Sequence, residues 1–265
     1  MTDEIPVAGV DITTPNVARM YDYYLGGKDN YAADRAAAQE VLKLAPHSPA
    51  LARANRAFLR RAVRHLAAVG VTQFLDIGAG LPTHGNVHEV AREAAPGSRV
   101  VYVDNDPTVL VHGRALLAGA EDATVVAGDL RDPEGLLADP TVRGMLDLSR
   151  PVGVLMVALL HCVADEDDPW AAVARLRDAL PPGSHLVLSH ISASEHVTAA
   201  RAAADVYQRS RATMVLRERS AIQRFLDGFD LLEPGLVALD DWRPDGDGKR
   251  DDLPAWFLCG VGRKP

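Results

Sequence analysis

The rhythm of apolar and polar positions changes along the chain. From residue 48 to residue 70 the apolar side chains Leu51, Ala54, Phe58, Leu59, Ala62, Val63 and Leu66 recur at three-and-four spacing, which places them on one face of a helix. Ser48-Pro49 supplies its start and Gly70 its stop. Two shorter helices precede it. One follows Thr14-Pro15 and stops at Gly26-Gly27, and the other runs from about Asn30 to Leu44. Beyond Gly70 the helical period gives way to short unbroken apolar runs: Gln73–Ile77, Arg99–Asp104, Ala123–Gly128, Val152–Leu160 and Ser184–His190. Helical stretches near 84–95, 107–118, 133–145 and 169–180 separate them. Apolar strands alternating with helices predict a parallel sheet covered on both faces, and right-handed crossovers make the α/β fold doubly wound. The tail adds helices over 194–210 and 219–227, then strands over Leu231–Leu239 and Ala255–Gly262. Joined by a loop rich in Asp, Gly and Pro, these last two pair antiparallel. The predicted organisation is an N-terminal helical cap over 1–70 and a core over 71–265, forming one structural unit.

Composition narrows this picture. The chain has 265 residues, 28 Lys plus Arg against 36 Asp plus Glu, and a net charge of −8, which disfavours a surface that tracks phosphates. Cys162 and Cys259 are too few for a disulfide framework or a thiolate zinc site. Val152–Leu160 is the most apolar run, well short of the ~20 residues of a membrane helix. Residues 1–10 lack the basic and apolar regions of a signal peptide. The expectation is a soluble, cytoplasmic protein with no nucleic-acid or membrane partner.

Phe74-Leu-Asp-Ile-Gly-Ala-Gly80 carries the most chemical information. A strand ends at Asp76 and the chain turns through Gly78 and Gly80 into a helix, so a ligand can approach the backbone without a Cβ in the way. Asp104 ends the adjacent strand, where its carboxylate can accept two hydrogen bonds from a ribose diol. Asp106, followed by Pro107, reads as a helix cap. Gly128-Asp129-Leu130 ends the third strand. There Asp129 can accept from an adenine amine and Leu130 can pack on the ring. Together these positions predict an adenosine site.

Dinucleotide dehydrogenases require a third glycine in this loop, and Pro82-Thr83 stands here instead. The run Leu-Asp-Ile-Gly-Ala-Gly resembles the D-x-G-x-G core of class I S-adenosylmethionine-dependent methyltransferases. Ala179-Leu-Pro-Pro-Gly-Ser-His-Leu-Val-Leu188 resembles that family's approach to its fifth strand, and Leu160-His-Cys-Val-Ala-Asp-Glu166 is similar to a segment of small-molecule O-methyltransferases. Phe229 to Pro234 and the C-terminal strand match the family's antiparallel end. Asn16 to Tyr31 resembles the N-terminal signature of an uncharacterised actinomycete methyltransferase family. The resemblance implies a seven-stranded sheet whose seventh strand is antiparallel. It also implies S-adenosyl-L-methionine as cofactor, held by Asp76, Gly78, Ala79, Gly80, Asp104, Asn105, Asp129, Leu130 and Ala158, and a small-molecule acceptor of O- or N-methylation. Pro82 departs from the family's pattern and bears on the contacts of residues 81–83.

His161, after the fourth strand, aligns with the catalytic histidine of the small-molecule O-methyltransferases and is the candidate base. The alternative is that it only packs against the site. Tyr21, Tyr23, Tyr24 and Tyr31 crowd the N-terminal segment. Aromatic faces stabilise a cation by roughly 0.5–2 kcal/mol, so these residues can form a lid over a sulfonium. Tyr24 and Arg19 are then cofactor contacts, with Arg19 or Asn30 reaching a carboxylate, and Tyr21, Tyr31 and His190 line the acceptor. The competing reading makes the tyrosines anchors of the cap. Asn55-Arg56 could face the cofactor carboxylate, but the reading preferred over it is a solvated helix face. His84 and His88 lack a third metal ligand, and the aspartates of 240–252 read as a solvated loop. Two other functions stay open: a non-catalytic sensor of S-adenosylmethionine or its demethylated product, and an NAD-dependent oxidoreductase on the same fold.

Overall fold

The computed structural model describes residues 10–83, 85–193, 197–209, 213–246 and 253–265. Five parallel strands, β1 (Gln73–Ile77), β2 (Arg99–Asp104), β3 (Ala123–Ala127), β4 (Gly153–Val157) and β5 (His185–Ile191), stand in the order β3-β2-β1-β4-β5. The strand β6 (Asp230–Leu231), the strand β7 (Val237–Ala238) and the last strand β8 (Phe257–Arg263) complete the sheet. β8 runs antiparallel to β5 on one side and to β6 and β7 on the other. The antiparallel ending holds, but the final strand is the eighth and not the seventh. The single strand expected over 231–239 is split in two. Pro234 has no N–H for the ladder, and Gly235 turns the chain at φ +96°. Strand order reverses between β1 and β4, and the crevice outside the carboxyl ends of those strands is where such sheets bind ligands.

Helices α1 (Val17–Tyr24), α2 (Ala32–Leu44) and α3 (Ser48–Ala68) precede the sheet. The first is capped by Asn16 and not by Thr14, since the Asn16 side chain accepts the Arg19 N–H. Helices α4 (Val87–Ala94) and α5 (Pro107–Leu116) follow β1 and β2. Asp106 caps α5 as expected, accepting the Thr108 N–H at 2.6 Å. The helix expected over 133–145 is two short ones, α6 (Pro133–Ala138) and α7 (Pro140–Met145). Pro140 breaks the ladder, and Asp139 recaps the chain by accepting the Thr141 and Val142 N–H groups. Helices α8 (Pro169–Ala179), α9 (Val197–Arg209) and α10 (Arg219–Gln223) complete the set.

Alternation along the strands divides the core. Leu75, Val154 and Leu186 pack on one face of the sheet with Leu160, Leu176 and Phe225. Their neighbours Phe74, Leu155 and Val187 pack on the other with Phe58, Ala62 and Leu66 of α3. A third cluster holds the cap: Met20, Tyr24, Val41 and Leu51 meet Tyr207 of α9 and Trp256. The cap is therefore not confined to residues 1–70. It includes α9, while most of α3 belongs to the sheet.

Candidate active site

A cavity of about 410 Å³ lies at the carboxyl ends of β1 to β4, under α1, α9 and the first half of α3. The glycine loop forms part of its floor. Gly78 and Gly80 adopt φ of +72° and +67°, which favour glycine. A Cβ on Gly78 would fall 2.5 Å from Leu159 Cδ1, whereas one on Gly80 meets nothing within 4 Å, so Gly80 faces open space. The loop's amides are already engaged. Gly78 and Ala79 donate to the Val103 carbonyl at 2.8 and 3.2 Å, and Gly80 donates to Asp104 Oδ2 at 2.9 Å. The start of α4 is closed by a reciprocal cap between Asn86 and Glu89. A pyrophosphate would need just these donors, so the loop is poorly suited to a dinucleotide.

Asp104 and Asp76 are both buried beside this loop. Asp104 Oδ1 accepts the Asp106 N–H at 2.9 Å, so both oxygens hold backbone amides, and the residue lines the cavity. Burial raises its pKa, and the two amide bonds oppose that rise. Burial pushes Asp76 up to about 7; Arg56 draws it down and Asp104 raises it further. Asp129 is differently placed. Its oxygens accept Arg131 N and Nε on one side, and Arg131 Nη2 and Asn105 Nδ2 on the other. Hydrogen bonding to Arg131 pulls its pKa down to about 2. All four acceptor positions are occupied, so an adenine amine would have to displace Arg131 or Asn105. Leu130 is buried at the cavity wall.

The end of β4 is strained. Ala158 lines the cavity at φ +59°, and its N–H donates to Ser189 Oγ at 2.9 Å. From there a buried relay crosses to the cap. Ser189 Oγ donates to Asn55 Oδ1 (2.6 Å), Asn55 Nδ2 donates to the Tyr21 hydroxyl (3.0 Å), and that hydroxyl donates to the Ala52 carbonyl (3.1 Å). This corrects the solvated reading of Asn55-Arg56: Asn55 is 1% exposed, and Arg56 lines the cavity. Asn55 stands one turn from Leu51 and Leu59 on the same helical face, a spacing that could have placed it inward.

His161 sits on a short 3-10 turn, Leu160–Cys162, and reaches the cavity wall. The Ile191 N–H donates to its Nδ1 at 3.5 Å, which leaves the proton of the neutral ring on Nε2. Burial, reinforced by Arg217, drives its pKa down to about 3. A ring with that tautomer and so weak a basicity is a poor proton acceptor toward the cavity. The structure thus favours a neutral wall and donor over the expected base. The unfolded chain takes up a proton below the ordinary 6.5 and the folded chain does not. Wild-type stability relative to His161→Gln should therefore fall by up to about 1.4 kcal/mol per pH unit as pH drops from 6.5 toward 3, measured by urea unfolding. Parallel pH curves would show that the ring is protonated in the fold.

Three expected contacts lie away from the cavity. His190 is fully buried, with Nδ1 at 2.7 Å from the Ile191 carbonyl and Nε2 at 2.9 Å from Arg217, so it does not line an acceptor site. The Arg19 guanidinium is engaged by Asp34 (2.8 Å) and by the Thr14 and Asp11 carbonyls, and it lies over the Tyr31 ring. Tyr31 itself is the N-cap residue of α2. Both are structural anchors of the cap. Tyr21 and Tyr24 do line the cavity. Tyr24 shares a hydrogen bond with the Tyr207 hydroxyl at 3.0 Å. Asn30 binds Asp22. Sequence reasoning missed Tyr207, Ser189, Trp256, Phe257 and Arg217, none of which stands in a motif. His84 and residues 247–252 lie outside the described residues. Among the described residues no group of three metal-ligating side chains occurs, and no helix is long and apolar enough to cross a membrane.

A family profile described as S-adenosyl methyltransferase matches residues 3–265. A DUF574 family protein from Streptomyces avermitilis is 42% identical, with a TM-score of 0.90 over 96% of this chain and 100% of that one. A candidate methyltransferase from Thermobifida fusca is also 42% identical, with a TM-score of 0.92 and coverage of 98% of both chains. Human N-acetylserotonin methyltransferase, solved with S-adenosylmethionine, is 15% identical with a TM-score of 0.50 over 92% of this chain and 62% of that one, a likeness of fold alone. No curated protein matches the chain.

Proposed function

The chain belongs to the S-adenosyl methyltransferase family, and from that premise we propose that it methylates a small molecule enclosed beneath its helical cap. One observation supports this reading above others. The acids at the strand ends and the aromatic residues of the cap border a single cavity, within the usual 300–1,000 Å³ of ligand sites. The residues present fit the cofactor. Gly80 has open space before it, and Arg56 Nε is buried with no hydrogen-bond partner among the described residues. Asp104 would take the ribose hydroxyls and Leu130 the adenine face. Arg56, in place of the expected Arg19, would take the carboxylate, and Asp76 the ammonium.

Bound there, S-adenosylmethionine supplies a methyl carbon activated by its sulfonium. The protein's part is alignment and exclusion of water. The relay from Ala158 through Ser189 and Asn55 to Tyr21 ties the cap to the strand ends and fixes the two halves of the cavity relative to each other.

The Asp76 assignment has a pH signature. A ligand ammonium ion stabilises the carboxylate, so binding should release a proton from a group that titrates at about 7 in the free protein. S-adenosylhomocysteine affinity should rise as pH increases through that value, and calorimetry in buffers of different ionisation enthalpy should show proton release. Absence of proton linkage would remove Asp76 from this role. The acceptor class is tested by incubating the protein with methyl-labelled S-adenosylmethionine and fractionated cell extract. Label is expected in the small-molecule fraction; label confined to precipitated protein or nucleic acid would contradict it.

A further inference from the structure

The two halves of the cavity differ in charge. Asp76, Asp104, Asp106 and Asp129 gather at the ends of β1 to β3, and Arg131 joins Asp129 to Asp167 across 2.6 and 3.6 Å contacts. Arg56 stands beside Asp76, and the Asp22 carboxylate is taken by the Asn30 side chain and the Asp29 N–H. The cap half is apolar. Its wall is drawn from the third core cluster: Leu51, Ala52, Ala204, Met214, Trp256 and the neighbouring Phe257.

Polar groups on this wall are neutral donors. Tyr24 and Tyr207, 6% and 8% exposed, share one hydrogen bond between two hydroxyls. Two hydroxyl hydrogens and one shared bond leave one O–H with no acceptor among the described residues, in a pair that lines the cavity. An unsatisfied buried donor is costly, so a ligand oxygen or nitrogen is its natural partner. His161 presents Nε2–H nearby, its ring set edge-on to Phe257 at 5.7 Å. These groups stay uncharged near neutrality. Burial pushes Tyr24 up to about 12, raises Tyr207, holds His161 down at about 3 and pushes the Cys162 thiol up to about 12.

We infer that the acceptor is an uncharged, predominantly apolar ring compound carrying a hydrogen-bond-accepting oxygen or nitrogen, held against the Tyr24–Tyr207 pair. This deepens the proposed function and rests on its assignment of the strand-end half to the cofactor. Among the described residues the cap's one lining carboxylate, Asp22, is taken by the Asn30 side chain and the Asp29 N–H, and its one lining guanidinium, Arg56, stands beside Asp76, so neither serves a charged acceptor. Among the described residues this wall also offers no free basic group for a proton. The acceptor atom must therefore be nucleophilic without giving up a proton, as a neutral ring nitrogen is: the new N–CH3 bond forms as the S–CH3 bond breaks, and the positive charge passes from the sulfonium to the methylated ring.

The test is calorimetric titration of the full chain saturated with S-adenosylhomocysteine, using 2-naphthol, 2-naphthoate and 2-naphthylmethylammonium as probes. The neutral probe should bind at least about tenfold more tightly than either ion. Tyr207→Phe should weaken 2-naphthol about three- to tenfold, and Ala204→Trp should abolish its binding, both with S-adenosylhomocysteine affinity unchanged. Equal or tighter binding of a charged probe, or no binding of 2-naphthol, would overturn the inference. Failure of S-adenosylhomocysteine itself to bind would instead overturn the cofactor assignment on which it rests.

Discussion

Asp104→Ala should weaken S-adenosylhomocysteine binding by about 100-fold or more. Two effects add. The ribose loses a charged acceptor, and hydrogen bonds to charged groups contribute about 1.5–3 kcal/mol each. The loop also loses its clamp, because Asp104 holds the Gly80 and Asp106 N–H groups at 2.9 Å. Asp104→Asn separates these effects. An amide oxygen can still accept one of the two N–H groups, so the loop is partly kept while the charge is lost. Its affinity should fall by about tenfold, between wild type and alanine. Calorimetry on all three proteins, with melting curves to show that each folds, measures this. Binding by Asp104→Ala within about threefold of wild type would mean that the ribose lies elsewhere.

The largest loss of stability is expected at Arg217. Its side chain is 2% exposed and donates to the Leu160 and Val163 carbonyls, at 2.7 and 2.8 Å, and to Asp165 at 2.6 Å. The guanidinium also lies 5.0 Å above the Trp170 ring and 2.9 Å from His190. These bonds tie down the turn that presents His161. Asp165 is 57% exposed, so the ion pair itself contributes little; the effect comes from the Val163 carbonyl left without a donor and the Leu160 carbonyl left with only the Val163 N–H. Arg217→Met should cost about 3–5 kcal/mol by urea unfolding. Arg217→Lys should recover only a small part, because an ammonium cannot span several acceptors at the positions a planar fork reaches. A loss under about 1 kcal/mol in the methionine variant would show that the turn is held by other contacts.

Much of the fold could be read from local pattern. The apolar runs ending at Ile77, Asp104 and Gly128 are β1 to β3, the last one residue shorter than expected, and the stripe from Leu51 to Leu66 is α3. Local chemistry also explains the departures. Pro140 and Pro234 interrupt elements that the apolar pattern alone carried through. The glycine loop and Asp104 were legible because a strand-end turn needs special backbone, and its neighbouring strand end must share the crevice. The cap side of the cavity was not. Tyr24 meets Tyr207 across 183 positions, and Ser189 meets Asn55 across 134. No local period records such pairings. Arg19 and His190 misled for a related reason. Each has chemistry that suits a ligand, yet Asp34 and Arg217, brought in by the fold, take up those groups. Asp129 shows the same competition at short range, since Arg131 two residues on occupies the acceptors expected for adenine.

In the proposed arrangement one cavity holds the cofactor at the strand ends and the acceptor under the cap. A crystal structure of the full chain with S-adenosylhomocysteine tests it most directly. The ribose hydroxyls are expected on Asp104, the adenine against Leu130 with Arg131 or Asn105 moved off Asp129, the amino-acid end at Asp76 and Arg56, and the sulfur facing the aromatic wall of the cap. An adenosine bound under α1 and α9, or a carboxylate on Arg19, would contradict it.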